Sequence, residues 1–138
     1  MQTTHFINGE WVAGLGHALK SIDPAKDQVI WEGQAATAEQ VDNAIEAARN
    51  ALTDWSFRSF EERLAIIKKY GELLAEHKPE LAKLISRETG KPEWETATEV
   101  GAMTGKIGIS EKAYHDRTGT VENPMPVGQA FIRHKPHG

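Results

Sequence analysis

The sequence contains no cysteine. This absence excludes disulfide bonds and a thiol nucleophile within the chain. It fits a protein of a reducing compartment, and it fits equally well a piece of a longer chain whose cysteines lie elsewhere.

Long apolar runs and an excess of basic residues are also missing. No run approaches the roughly 20 apolar residues of a membrane-spanning helix, and residues 1–10 lack the basic and apolar regions of a signal peptide. The formal net charge is -4, which offers no basic field to nucleic acid. We therefore expect a cytoplasmic protein whose partner is a small molecule or another protein.

Motifs of several common function classes are absent as well. There is no G-x-G-x-x-G after a strand, no Walker loop, and no serine with a suggested His and Asp partner. His134 and His137 have no acidic or cysteine ligand at the spacing of a metal site. We therefore predict no metal site, no hydrolase and no phosphate-binding loop.

Apolar residues make up 39% of the 138 residues, which is enough for one domain with a core. The first part is rich in strand signals, because Asn8-Gly9 between two apolar arms favours a type I′ hairpin. Two further strands are predicted over 18–22 and 28–33, on either side of Asp23-Pro24-Ala25-Lys26-Asp27, whose Pro and Asp favour a turn.

Two capping boxes then mark the starts of helices. In each, a Ser or Thr is followed three residues later by Gln or Glu, ahead of an apolar stripe of helical spacing. The pairs are Thr37 with Gln40 and Ser59 with Glu62. They predict helices over about 38–53 and 59–77.

A third helix is predicted to begin at Pro79 and to end at Gly90, which can adopt the left-handed conformation. Pro92 suits the first position of a fourth helix, which should run to about Arg117. The first three helices are amphipathic and are expected to share one core.

The fourth helix carries three glycines, although each costs about 0.5 to 1 kcal/mol relative to Ala in a helix. One side of the helix therefore consists of small residues that a backbone or ligand could approach, namely Ala97, Gly101, Gly105 and Gly108. The adjacent stripe is apolar and consists of Val100, Met103, Ile107 and Tyr114, with Lys106 beside it. Both stripes are interpreted first as packing surfaces.

After Gly119, Pro124 and Pro126 predict an irregular segment, and 130–135 is predicted to be a strand. We expect this strand to have no partner in the chain, which is an aggregation hazard.

Two stretches resemble the N-terminal part of the NAD(P)-dependent aldehyde dehydrogenases. The first is Phe6-Ile7-Asn8-Gly9-Glu10-Trp11, and the second is Glu88-Thr89-Gly90-Lys91-Pro92 with the segment 98–119 that follows it. The resemblance spans nearly all of the chain and is closest to the members that oxidise succinylglutamic semialdehyde in arginine breakdown. It implies an α/β fold of short N-terminal strands, four amphipathic helices and a C-terminal strand.

By the same resemblance, residues 1–120 form the N-terminal part of the NAD-binding domain, with strands within 5–33 and helices within 38–117. Residues 121–138 begin the strand region through which subunits associate, so a homo-oligomer is implied for the complete subunit. The catalytic domain, its thiol and the NAD-binding residues lie outside this chain. The resemblance therefore implies aldehyde oxidation by a longer enzyme and inactivity of this chain alone. The resemblance does not decide between NAD and NADP.

Some family members have a methionine after the Gly-Lys-Pro motif that lines the tunnel by which the aldehyde enters. Met103 stands at that position here, and its flexible thioether suits a variable alkyl chain. Val100 and Ile107 are weaker candidates for the same tunnel, and Lys106 is a candidate donor to the carboxylates of a dianionic substrate. No residue is predicted to be catalytic or to bind the cofactor.

Two other interpretations of the chain remain open. It is also compatible with a non-enzymatic helical interaction module. A piece that does not fold alone is the third possibility, because its helices would then cover a sheet that is absent.

Overall fold

Three antiparallel hairpins and four helices make up residues 4–137, the part of the chain that the computed structural model describes. The strands pair in chain order as three two-stranded sheets. The elements are β1 (Thr4–Ile7), β2 (Glu10–Ala13), β3 (Ala18–Asp23), β4 (Gln28–Gln34), α1 (Ala38–Phe57), α2 (Phe60–Glu76), α3 (Lys78–Thr89), α4 (Glu93–Arg117), β5 (Thr120–Pro124) and β6 (Gln129–Arg133). The predicted α/β class with four helices is confirmed.

The hairpin β1–β2 turns at Asn8-Gly9, as predicted. Asn8 and Gly9 have φ angles of 53° and 82°, the two positive values that a type I′ turn requires. The turn sets a register in which Phe6 pairs with Trp11, and their ring centroids lie 5.1 Å apart. A local dipeptide thus decides how these strands pair.

The second hairpin, β3–β4, is held at its turn by Asp23. The carboxylate accepts hydrogen bonds from the Ala25 N–H at 2.9 Å and the Lys26 N–H at 3.2 Å. Asp23 is only 4% exposed, and these bonds satisfy a group that is costly to bury unpaired. Both predicted strands are confirmed, and they end one residue later than expected, at Asp23 and Gln34.

Both predicted capping boxes are formed. The Thr37 hydroxyl accepts from the Gln40 N–H at 3.3 Å, and the Ser59 hydroxyl accepts from the Glu62 N–H at 3.2 Å. In return, the backbone N–H groups of Thr37 and Ser59 donate to the side-chain oxygens of Gln40 and Glu62. α1 continues past its predicted end to Phe57 because no glycine or proline interrupts it before the next cap.

The core lies where α4 packs against α2 and α3. Val100 and Thr96 are fully buried there, and Ala82 is 5% exposed. The Cδ1 atom of Ile107 occupies the space beside Gly71 where a Cβ would otherwise lie. The absence of a side chain at Gly71 therefore lets α2 and α4 approach closely.

α1 does not belong to this core. Its main contacts are with β1, and none of its residues, all of which lie in the described part of the chain, is buried. Val41 and Ile45 on its apolar stripe are 46% and 57% exposed. The expectation that the first three helices share a core is therefore wrong for α1, whose main contacts are with β1 rather than with α2 or α3.

The joint between α3 and α4 lies at Gly90, as predicted. Gly90 has a φ of 77°, which ends α3 in the left-handed conformation. Pro92 is the N-cap, so α4 begins at Glu93, one residue later than expected. The turn between β3 and β4 packs against this joint, because a Cβ on Gly90 would lie 3.1 Å from Cγ of Pro24.

A third hairpin follows α4 and corrects the sequence analysis. The segment predicted to be irregular contains β5, which pairs with β6 in an antiparallel register. Pro124 is tolerated because it is the last residue of an outer strand, where a missing N–H leaves no essential ladder bond unmade. The expectation of a strand without a partner is therefore wrong, because β5 pairs with it.

Candidate substrate-contacting face of α4

The residues predicted to contact substrate all lie on α4, and the structure divides them by burial. Val100 is fully buried, whereas Met103 is 39% exposed. Ile107 is half-buried and Lys106 is exposed. Because the four recur at helical spacing, they share one side of α4, but only part of that side is open to a ligand.

Val100 and Ile107 are largely engaged in the packing between helices. Val100 has no exposed surface in the chain, and Ile107 lies over Gly71 of α2. These are the contacts of a packing stripe. Val100 therefore has no surface left for a ligand, and Ile107 keeps only part of its side chain free.

Met103 and Lys106 remain accessible. They are three residues apart on a helix, so their side chains are neighbours on its surface. Among the residues that the structure describes, ion pairs engage Lys68, Lys91 and Lys112, and none engages Lys106. A flexible thioether beside an unpaired ammonium suits a ligand that is apolar at one end and anionic at the other.

The small-residue side of α4 is open. Within residues 4–137, and apart from the adjoining residues and the nearby backbone of α4 itself, no heavy atom lies within 4 Å of the place where a Cβ on Gly105 or Gly108 would be. At Gly101 the neighbour is Nζ of Lys78, at 3.8 Å. The close approach expected from this stripe is thus not made by any element that the structure describes.

Two ion pairs connect α4 to its surroundings. The Lys91 ammonium donates a hydrogen bond to the Glu99 carboxylate, and this bond, together with the negative charge of Glu99, raises the pKa of Lys91. Lys68 of α2 pairs with Glu111 at 3.0 Å. Exposed pairs of this kind contribute little stability individually.

Several types of site are not found in residues 4–137. No helix in this part of the chain combines the length and apolar character needed to cross a membrane. No group of three or more metal-binding side chains is arranged around a common point within the same residues. The sequence contains no cysteine, and we assign no catalytic role to any residue.

The sequence matches one protein family over most of its length. The model of the Aldehyde dehydrogenase family matches residues 11–138. An NAD-dependent benzaldehyde dehydrogenase from Corynebacterium glutamicum is 31% identical, with a TM-score of 0.82, over 91% of this chain and 27% of that one.

Further solved structures share the fold. The NADP-dependent glyceraldehyde-3-phosphate dehydrogenase from Bacillus halodurans C-125, in complex with NADP, is 25% identical with a TM-score of 0.90, over 100% of this chain and 30% of that one. A succinate-semialdehyde dehydrogenase from Burkholderia pseudomallei is 26% identical with a TM-score of 0.81, over 91% of this chain and 26% of that one. The chain thus spans less than a third of the length of these relatives. Since the family model matches nearly the whole sequence, the chain belongs to the aldehyde dehydrogenase family.

Proposed function

We propose that the chain is the N-terminal part of an NAD-dependent aldehyde dehydrogenase subunit that oxidises N-succinylglutamate 5-semialdehyde, or a related semialdehyde, to the acid. Membership of the family supports the class of reaction. The 27% of a relative's length that the chain spans supports a longer subunit. A succinate-semialdehyde dehydrogenase among the relatives supports a substrate with a carboxylate beyond the aldehyde.

The observation that carries the choice of substrate is the accessible pair Met103 and Lys106. In this proposal Met103 lines the tunnel by which the aldehyde enters, and Lys106 binds a carboxylate of the substrate. Val100 and Ile107 contribute to the same wall mainly by packing α4 against the neighbouring helices. The burial of Val100 and the exposure of Met103 support this division of roles.

The chain would not oxidise aldehydes by itself. It contains no cysteine to act as the nucleophile and no glycine-rich loop to hold a dinucleotide phosphate. The nicotinamide cofactor, which accepts the hydride, would be held by residues outside this chain, and those residues would decide between NAD and NADP. The cytoplasmic location also stays a prediction.

Exposed apolar side chains support the proposed domain assignment. Phe57 and Trp94 are 86% and 73% exposed, as expected if residues 1–120 pack onto the rest of a cofactor domain. On the third hairpin, Val121 and Ile132 are 49% and 54% exposed. This supports residues 121–138 as the beginning of a sheet that pairs subunits.

The same exposed surface also favours the second candidate, a non-enzymatic interaction module of this length. The mass of the protein in the cells that produce it separates the two. An antibody against residues 88–117 should detect a band several times heavier than the 15.3 kDa of this chain. A band at 15.3 kDa would contradict the proposal and favour the module.

The role of Lys106 is testable in a complete subunit that contains this chain. Lys106→Met should raise KM for a dianionic semialdehyde by at least about tenfold, since a charge-assisted bond contributes about 1.5 to 3 kcal/mol, and should leave KM for benzaldehyde unchanged. Lys83→Met, which removes an exposed charge from α3, is the control. Unchanged kinetics for the dianionic substrate would refute the assignment.

A further inference from the structure

A groove of about 450 Å³ lies where the end of α4 meets the third hairpin and the start of α2. Four basic side chains line it, namely Arg63, Arg133, His134 and Lys135. No local sequence pattern groups them, because Arg63 lies on α2 and the others follow far later in the chain. Only the tertiary structure brings them to one place.

The groove has an unbalanced charge. No Asp or Glu is among the described residues that line it. Elsewhere in residues 4–137, cations such as Lys68 and Lys91 pair with carboxylates, whereas none of the ion pairs there includes an arginine or lysine of the groove. Like charges gathered without a counter-charge repel each other, and a bound anion relieves that repulsion.

The side chain of Arg63 is partly buried in the wall of the groove. Its Nε atom is buried from solvent and has no hydrogen-bond partner among the described residues. A buried donor without a partner is uncommon and destabilising. Because Nε is out of reach of solvent, an anion in the groove would bind the terminal nitrogens of the Arg63 guanidinium group, which present N–H donors in a fixed planar fork.

Several contacts among the described residues hold the walls of the groove in place. Phe60 stacks on Tyr114, with ring centroids 4.1 Å apart and 11° between the ring planes. The Thr118 hydroxyl donates to the Tyr114 carbonyl at 2.6 Å and caps α4. Nδ1 of His134 lies 3.2 Å from the Gly119 carbonyl oxygen, which ties the segment after β6 to the end of α4. Fixed walls reduce the ordering cost of binding.

We propose that this groove binds a small oxyanion with at least two negative charges, either inorganic phosphate or a dicarboxylate. Arg63 binds two of its oxygens, and Arg133 and Lys135 supply the remaining positive charge. The hydroxyl group of Thr120, which also lines the groove, donates a further hydrogen bond. The site goes beyond the proposed function and is inferred for the 138-residue chain, because three of its basic residues lie in the segment 121–138 that the proposed function assigns to subunit pairing.

Titrations of the isotope-labelled chain, followed by NMR after a dispersed amide spectrum has shown that the chain is folded, test the proposal. Sodium phosphate and sodium succinate are added separately, and sodium chloride of equal ionic strength is the reference. We expect saturable shifts of the Gly119, Thr120 and His134 amides with at least one of the two anions and not with chloride. The anion that saturates at the lower concentration identifies the source of the oxyanion.

Variants then connect binding to the basic side chains. Arg63→Met should weaken binding about tenfold through loss of a charge-assisted hydrogen bond. Lys135→Met, at an exposed position beyond β6, should weaken it as well and keeps the test valid if Arg63→Met does not fold. Lys83→Met on α3 should leave it unchanged. Shifts that follow ionic strength alone, or an equal loss in Lys83→Met, would overturn the proposal.

Discussion

Thr96 provides a test of what holds α3 and α4 together. Its side chain is fully buried, and its hydroxyl donates to the Ala82 carbonyl of α3 at 2.7 Å, with a second contact of 3.1 Å to the Glu93 carbonyl. Thr96→Val keeps the shape and removes the hydroxyl. Because the Ala82 carbonyl can keep its own helical hydrogen bond, the expected loss is that of one buried hydrogen bond, about 1 kcal/mol.

Thr98→Val is the matched control, because the Thr98 hydroxyl is exposed and donates at 2.6 Å to the Glu95 carbonyl within α4. Urea unfolding, followed by circular dichroism, gives the free energy of unfolding of both variants. We expect the midpoint of Thr96→Val to lie about 0.5 M below that of Thr98→Val, for a slope of about 2 kcal/mol per M. Equal midpoints would refute the role assigned to the bond between Thr96 and Ala82.

Two further stability predictions concern Gly90 and the cap of α2. Gly90→Ala should lower the free energy of unfolding by about 1 to 2 kcal/mol, because the φ of Gly90 is 77° and the new Cβ would lie 3.1 Å from Pro24 Cγ. Gly105→Ala, at an open helical position, should raise the free energy of unfolding by up to about 1 kcal/mol in the same urea assay. A loss of stability in both variants would contradict the reasoning. Hydrogen bonds from the backbone and side chain of Ser59 hold the pKa of Glu62 below its usual value, so the stabilisation is present above the ordinary carboxyl pKa and is lost as pH falls through the lowered one. Glu62→Gln should flatten this acidic part of a stability-against-pH curve, and an unchanged slope would count against it.

Local signals in the sequence were enough to predict most of the helices and strands. Asn8-Gly9 and the two capping boxes act between residues at most three positions apart, so their geometry does not depend on the rest of the fold. Gly90 ends α3 for the same reason. β5 was not predicted, because Pro124 suggested a break and the strand is stabilised only by pairing with β6.

The candidate site was likewise predictable in part from local spacing and in part only from the tertiary structure. Helical spacing alone puts Val100, Met103 and Ile107 on one stripe, but it does not say which of them is buried. Ile107 is half-buried because Gly71 has no side chain, which lets Ile107 pack against α2. The resemblance to the aldehyde dehydrogenases selected Met103, and the structure leaves it partly exposed.

The sequence by itself determined the helix caps, the hairpin turn at Asn8-Gly9 and the family, because each rests on short motifs whose interactions are local. Only the tertiary structure decided that α1 lies outside the core, that β5 pairs with β6, and that Arg63 meets Arg133 in one groove. Those outcomes depend on contacts between residues far apart in the chain. Such contacts depend on how the apolar surfaces of several elements pack together in the core. The sequence of one segment is therefore not enough to predict them.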